Sequence, residues 1–390
     1  MKIGFYHEAA GTKHAGGVAV YIQQMAAHLS ETNDVYLYTQ QGEVTELLSE
    51  SDVTIVDTPR LEARIPDTLY GLSPLGRQDT TKASMTAWAY LNDLLTHIEE
   101  TVDVVLTFSW IDDLLLSNLV DVPTIHGYHA VDSVGLASRV HQLTSSADSV
   151  LANSEDTARK VKDHFDRTVD AVVYPGVDTS LFTPDADPAL TSDRPIILYV
   201  GRLFEAKGIF ELLDAVASLD VDVELHVVGH GRMDAVKTRI RSLEIDDAVT
   251  LHGEVPHSDL PGYYTSADVF CLPSHTESFG MVNLEAMACG VPVVTSDLEA
   301  IRRYLTHWEH GLLVEPDDPI QLAAALETML SSAETRAAFG ERGRERATEF
   351  TWENQSRRLK DHCVDVVGVN REAENRSAPD SAVTETLASN

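Results

Sequence analysis

The sequence is poor in basic residues, in cysteine and in long apolar runs, and each shortage narrows what the chain can be. Lys+Arg number 29 against 62 Asp+Glu, a formal charge of −33. That balance disfavours attraction to a phosphate backbone or an anionic membrane, and with it nucleic-acid binding as a general activity. The acid is spread along the whole chain and lysine is especially scarce. Self-repulsion of this kind is screened by salt, which points to a halophilic source. The cysteines, Cys271, Cys289 and Cys363, are too few and too widely spaced for a disulfide framework or a zinc pattern, and read as small buried apolar residues. No stretch approaches the roughly 18 uninterrupted apolar residues of a membrane span. No charged-then-apolar leader precedes the strand-like KIGFY, and no basic amphipathic helix offers a surface anchor. A cytoplasmic protein is expected, with at most peripheral contact at the inner face of the cell membrane.

What is present is a long alternation of elements. At 390 residues and 43% hydrophobic content, two sizeable cores are expected. Short β-branched runs at 2–6, 35–39, 53–57, 103–108, 122–126, 149–153 and 171–174 alternate with helical patterns, as βαβ units around a parallel sheet do. The Pro- and Asp-rich stretch 183–195 reads as a linker. A second series of strands follows at 196–200, 224–229, 249–253, 269–273, 292–296 and 311–315. The fold class is therefore α/β with two doubly wound domains. Residues 59–86 form a long irregular excursion, either a plain surface loop or the shaper of a binding mouth. The end from Asn370 is polar and small-residue rich, and is expected to be disordered.

The residues that carry chemistry stand at strand ends of the second series. IILYV runs into GRLFEAKG and places Arg202 and Lys207 just past a parallel strand, where ligands bind in open α/β sheets. Two cations there, with Gly201 and Gly208 permitting tight turns, can clamp a diphosphate. A pair of solvated surface cations is the plain alternative. VVGHG at 227–231 brings Gly229 and Gly231 to another strand end, where backbone can approach a ligand closely, and His230 reads as a loop residue. The backbone from Gly253 through Glu254 to Val255 can frame a planar nucleobase.

The most informative stretch is SHTESFGMVNLEAMACGVPVV, residues 274–294, which leaves a strand and enters a helix expected to start near Ser278. Amides of Gly280, Met281 and Val282 at such a helix N-terminus favour phosphate. Glu277 precedes the helix and Glu285 lies about two turns along it. Two carboxylates so separated can accept from sugar hydroxyls at one end of an extended ligand and ribose hydroxyls at the other. Taken singly, Glu277 is an N-terminal dipole partner and Glu285 a surface charge. Their coincidence with Gly280, a strand end and the turn-forming CGVP favours a site.

In these motifs and their order the chain resembles retaining glycosyltransferases of family 4, whose GT-B fold has two Rossmann-like domains facing across a cleft. The resemblance reaches about residue 365 and is carried by Gly16 and Gly17 before VAVYIQQMAAHL, by PTIHG, ANSEDTARKV and VVYPGVD, and by GRLFEAKG, VVGHG and ESFGMVNLE. The domains expected are an acceptor-side domain at 1–183, a linker at 184–195 and a nucleotide-sugar domain at 196–350. A helix at 351–368 packs back towards the first domain, and 369–390 is a disordered tail. The resemblance implies that Arg202 and Lys207 hold the donor diphosphate, that Glu285 binds the ribose and that Glu277 stands beside the transferred sugar. Amides of Phe279, Gly280, Met281 and Val282 would line sugar and phosphate. Gly17, next to Gly16, would let the first domain's backbone approach the diphosphate. His126, ending PTIHG, falls near the reacting sugar. His129 is its close rival, and a hydrogen-bonded structural histidine is the alternative to either role.

The implied activity moves a hexose-type sugar from a UDP- or GDP-sugar to a hydroxyl acceptor, such as a glycan, a lipid-linked saccharide or another glycoconjugate, with retention. No cofactor and no metal are implied, and no D-x-D stands at a strand end. A nucleotide-sugar epimerase and a noncatalytic sugar-nucleotide binder are the competing readings, since a fold does not set chemistry. A dinucleotide oxidoreductase is disfavoured because FYHEAAGTKHAGG after the first strand holds no G-x-G-x-x-G. The first domain, including 59–86, is expected to select the acceptor.

Overall fold

Short aliphatic runs in this chain become parallel strands buried on both faces. The computed structural model describes residues 1–12, 17–58, 85, 87–129, 131 and 145–377, with 371–377 given by backbone alone. The chain divides into two units: Met1–Asn153, Thr157–Val173 and Ser356–Asn390 form the first, Ser154–Asp156 and Tyr174–Gln355 the second.

In the first unit, β1 (Lys2–Tyr6), β2 (Asp34–Gln40), β3 (Thr54–Thr58), β4 (Val104–Thr107), β5 (Thr124–Tyr128), β6 (Ser149–Ala152) and β7 (Ala171–Val172) form one sheet in the order β3-β2-β1-β4-β5-β6-β7. β1 pairs in parallel with β2, Ile3 opposite Val35, and with β4, Ile3 opposite Val104. Every residue of β4 and of β6 is buried, as strands covered by helices on both faces require. Helix α1 (Gly17–Ser30) turns Ile22, Met25, Ala26 and Leu29 inward at helical spacing. Helix α2 (Leu94–Thr101) contributes Leu94, Leu95 and Ile98 to a cluster with Tyr6, Tyr38 and Val105. Helix α3 (Trp110–Leu119) starts where the Ser109 hydroxyl accepts from the Asp112 N–H.

In the second unit, β8 (Ile196–Val200), β9 (Glu224–Val228), β10 (Val249–Gly253), β11 (Val269–Leu272), β12 (Val293–Ser296) and β13 (Gly311–Val314) form a parallel sheet in the order β10-β9-β8-β11-β12-β13. β8, β11, β12 and β13 are buried throughout. Helices α4 (Ile209–Ala217), α5 (Met281–Ala288) and α6 (Pro319–Leu330) follow β8, β11 and β13. Both sheets carry the doubly wound order, which reverses beside the first strand of each: between β1 and β4, and between β8 and β11. Ligands of such sheets bind at the strand C-termini beside that reversal.

Two boundaries differ from those expected. The division falls between Val173 and Tyr174, ahead of the boundary at residue 183, because Tyr174 stacks on Phe279, Val177 N–H donates to the Phe350 carbonyl and Phe182 packs on Tyr264, all in the second unit, to which the 184–195 stretch is tied as well. There Ala189 N–H donates to the Gly262 carbonyl, and Leu190 N–H to Ser266 Oγ, both at 2.8 Å. The last helix, α7 (Trp352–Ser377), runs past residue 368, so 369–377 is helical rather than tail. From Ser356 onward this segment groups with the first unit, where His362 Nε2 lies 2.8 Å from Ser149 Oγ at the start of β6. Residues 59–84 and 86 of the expected excursion, and the end from 378, lie outside the described residues. No helix among the described residues is long and apolar enough to cross a membrane.

Candidate active site

In the second unit the loops leaving β8 and β11 meet at the reversal of strand order. The loop after β8 passes Arg202, makes the single 3-10 turn Glu205–Lys207 and enters α4 at Gly208. Gly208 has φ +69°, and a Cβ there would stand 1.9 Å from the carbonyl oxygen of Pro273, just beyond β11. Only glycine lets the two loops approach so closely. Tyr199, buried in β8, donates its hydroxyl to the Arg202 carbonyl at 2.9 Å, with the Lys207 carbonyl 3.5 Å away. Burial pushes the pKa of this phenol up, so it remains a donor.

Lys207 Nζ lies 2.6 Å from Glu277 Oε1, and the fully buried Ser274 donates its hydroxyl to the same oxygen at 2.8 Å. The two charged side chains are 21% and 8% exposed, so the pair is largely desolvated and each ion depends on the other. Arg202 is arranged differently: it is exposed, its guanidinium 5.7 Å from the ring centre of Phe204 in the same loop.

The helix after β11 starts at Met281, later than the expected Ser278. Gly280 is the reason. It caps the helix at φ +80°, and a Cβ there would meet Asn283 Nδ2 and Tyr304 Oη at 3.0 Å. Tyr304 donates to the Phe279 carbonyl at 2.9 Å and accepts from Asn283 Nδ2 at 3.0 Å. Phe279 is buried between the rings of Tyr304 and Tyr174, at centroid separations of 5.2 Å and 5.6 Å. This packing fixes the Gly280 turn and so the orientation of the first-turn amides of Met281 and Val282, both half-buried.

Glu285 lies about one turn into α5, not two, and is buried rather than a surface charge. Its Oε2 accepts from Tyr264 Oη at 2.8 Å, and its Oε1 lies 3.0 Å from His257 Nε2. Burial, together with the Glu285 carboxylate, holds the Tyr264 phenol well above its usual pKa. For His257, whose ring packs on Phe182 while more than half of the side chain stays exposed, partial desolvation works against the imidazolium, but the Glu285 hydrogen bond and the charges of Glu285 and Asp178 outweigh it and raise the pKa.

Gly229, just beyond β9, and Gly253, the last residue of β10, differ in what demands glycine. Gly229 has φ +140°, and a Cβ there would lie 1.9 Å from the Gly201 carbonyl oxygen, so contact with the β8 loop is what demands glycine. Its N–H donates to the Gly253 carbonyl at 2.7 Å. Gly253 has φ +74° with open space on its Cβ side. Glu254 is exposed and pairs with His230 at 2.6 Å, and Val255 is half-buried.

In the first unit, His126 is buried on β5 with Nδ1 3.0 Å from Thr107 Oγ1 and 3.9 Å from Asp113 Oδ1. His129 follows β5, its ring edge-on to Tyr21 at 4.4 Å and 5.5 Å from Phe108. Burial first, then the neighbouring His7 and His126, push its pKa down to about 3. Gly17 opens α1 with nothing near its Cβ position, and Gly16 lies outside the described residues.

Ser274, Tyr264, His257, Tyr304 and Asn283, whose hydrogen bonds hold the expected residues, and His7 beyond β1 are not among the residues that the sequence motifs single out. Ser274 stood inside the quoted SHTESFG. Asn283 lies in the same 274–294 stretch and His7 in FYHEAAGTKHAGG, whereas Tyr264, His257 and Tyr304 lie outside every motif singled out. As to metals, Glu211, His275 and Asp317 have potential ligand atoms within 4.8 Å of one another among the described residues. His275 Nε2 already faces Glu211 Oε1 at 3.2 Å, and Asp317 is exposed.

Two doubly wound sheets, with a cation, acids and a helix N-terminus gathered at the strand ends of the second, define a glycosyltransferase of GT-B architecture. The family model for glycosyl transferases group 1 matches residues 184–346, and that for glycosyltransferase family 4 matches 15–181. Among curated relatives, the D-inositol 3-phosphate glycosyltransferase of Corynebacterium diphtheriae is 29% identical over 394 residues, covering 90% of each chain. That of Geodermatophilus obscurus is 31% identical over 385 residues, covering 88% of this chain and 83% of its own. Among solved structures, sucrose-phosphate synthase from Thermosynechococcus elongatus superposes with a TM-score of 0.74 at 22% identity, over 96% of this chain and all of its own. Anabaena HepE, solved with UDP and glucose, gives 0.74 at 19% identity, over 94% of this chain and 100% of its own. The chain belongs to glycosyltransferase family 4.

Proposed function

We propose that the chain transfers a hexose from a UDP- or GDP-sugar to a hydroxyl acceptor with retention of anomeric configuration and without a metal. The observation that carries this reading is the desolvated Lys207–Glu277 pair, held by Ser274 where β8 and β11 part. Lys207 and Arg202 neutralise the departing diphosphate, aided by the first-turn amides of α5. Glu277 accepts from the sugar hydroxyls and Glu285 from the ribose. Gly253 to Val255 lie against the base. Gly17 and His126 are assigned to the diphosphate and the reacting sugar by family resemblance. His129, enclosed by aromatic rings and held neutral, fits a structural role.

In the proposed step the acceptor oxygen bonds to the anomeric carbon on the face from which the diphosphate leaves. The bond from that carbon to the phosphate oxygen breaks, and the acceptor proton passes to this departing oxygen. The products are a glycoside and a nucleoside diphosphate, and no protein base is consumed. The buried thiols Cys271, Cys289 and Cys363 accord with a reducing, cytoplasmic setting.

A thermal-shift screen of UDP- and GDP-hexoses tests the donor, because a ligand that binds the folded state raises its stability by mass action. The relatives' names put D-inositol 3-phosphate first among acceptors to be tried. Retention is read from the anomeric coupling in the product's NMR spectrum. An inverted product would refute the stereochemical reading, and donor turnover without any acceptor would favour the epimerase.

A further inference from the structure

Glu285 is the acid of this constellation whose two oxygens are both held by neighbouring side chains, and the two donors differ in kind. Tyr264 is fully buried and reaches Oε2 at 2.8 Å. His257 sits on the 3-10 turn His257–Asp259 with its side chain 56% exposed, its ring edge-on to Phe182 at 5.1 Å and its Nε2 3.0 Å from Oε1. A carboxylate offers about four acceptor positions. With one oxygen engaged by Tyr264 and the other by His257, about two positions stay available to the neighbouring hydroxyls of a ribose.

We propose that His257 is a positioning residue for nucleoside recognition, fixing the Glu285 carboxylate through Nε2 and making donor affinity depend on pH. The inference rests on the reading of Glu285 as the ribose ligand. The charged groups that act on His257 are Glu285 from α5 and Asp178 from the segment before Phe182; Tyr264 meets the far oxygen of the Glu285 carboxylate, and Asp259 shares the turn of His257. Glu285 and Asp178 favour the imidazolium against burial, so its pKa lies above the usual value. The imidazolium makes a charge-assisted hydrogen bond, shorter and stronger than that of the neutral ring. That bond is fully present below about pH 6.5, the ordinary value for histidine, and weakens as pH rises through the raised value in the fold. Donor affinity therefore falls with rising pH.

The test measures binding of UDP-glucose, UDP-N-acetylglucosamine, GDP-glucose and GDP-mannose by calorimetry from about pH 5.5 to about pH 8.5, a range that spans histidine titration. His257→Ala is expected to bind the best of these about tenfold more weakly at the acid end, the loss of one hydrogen bond to a charged group, with a flat pH profile. His257→Gln, whose amide can still donate to Oε1, is expected to regain most of the affinity and keep the profile flat. A His257→Ala that binds like the parent, or a His257→Gln that keeps the parent's pH profile, overturns the inference. Glu285→Gln separates the two levels. If it is weakened while both His257 variants behave as the parent, only the role of His257 falls. If the parent binds none of the four donors, or Glu285→Gln is unaffected, the ribose assignment falls and the inference with it.

Discussion

Replacing Lys207 by alanine removes a cation that does two jobs, and the structure sets the size of each. Glu277 would keep the Ser274 hydroxyl as partner but lose its countercharge at 2.6 Å while remaining 8% exposed. Breaking a fully buried pair costs about 3–5 kcal/mol, and an exposed pair is worth about 0–1 kcal/mol. With Lys207 itself 21% exposed, a loss of about 2 kcal/mol is expected. With the second unit, Ser154–Asp156 and Tyr174–Gln355, as the melting unit, that lowers Tm by about 4–8 °C, readable by calorimetry. The second job is electrostatic stabilisation of the leaving diphosphate. Removing one such preorganised donor costs about 3 kcal/mol, a hundredfold or more in kcat at saturating donor. Glu277→Gln separates the two jobs. The double variant Lys207→Ala/Glu277→Gln should melt above Lys207→Ala, because the stranded charge is gone, yet stay as inactive. If Lys207→Ala keeps its Tm and a kcat within about twofold of the parent, both the buried-pair argument and the diphosphate assignment are refuted.

Gly208→Ala should cost more than about 1 kcal/mol, because its Cβ would strike the Pro273 carbonyl as well as force a positive φ, whereas Gly253→Ala, with open space beside it, should cost about the φ strain alone. Equal losses in urea unfolding would discard the close-approach argument. His129 has its pKa depressed to about 3, so between that value and the ordinary 6.5 the unfolded chain binds more protons, and stability should rise with pH across this window. His129→Gln should flatten that slope, and an unchanged acid-unfolding profile would count against its burial as a neutral ring. With 62 acids against 29 bases, Tm should climb steeply as KCl rises from about 0.1 M to about 2 M, where screening is nearly complete. Full stability in dilute buffer would set aside the halophilic reading.

The strands were legible because helix-covered parallel strands are short aliphatic runs such as IILYV and VFCL, closed by glycine or proline. The start of α5 was not. Ser278 has the chemistry of an N-cap, but the left-handed Gly280, fixed by Tyr304 and Asn283, delays the helix to Met281. Glu285 was legible as a candidate for the site, but the partners that bury it were not. A glutamate in a helix reads as surface, because charged residues are buried only when paired, and its partners Tyr264 and His257 stand 21 and 28 residues earlier. The same distance in sequence concealed the Lys207–Glu277 pair, whose members lie 70 residues apart and meet only because β8 and β11 are neighbours in the sheet. Pairing of this kind belongs to topology, which local pattern does not encode.

Topology also separates two cations that the sequence presented as equivalent. Arg202 and Lys207 leave the same strand on the same loop, but Lys207 is held on Glu277 while Arg202 stays exposed over Phe204. The pairing means that Lys207 is oriented before a donor arrives, so little of its side-chain entropy is left to lose on binding. Arg202 has more freedom to lose, and its planar fork can reach two phosphate oxygens at once. The restrained lysine therefore suits a preorganised contact, made already in the donor complex and strengthened as charge develops on the leaving group. The mobile arginine suits a contact completed as charge develops on the leaving group. On this argument the two residues differ in degree: loss of Lys207 should weaken the donor complex as well as lower kcat, and loss of Arg202 should fall more heavily on kcat than on KM.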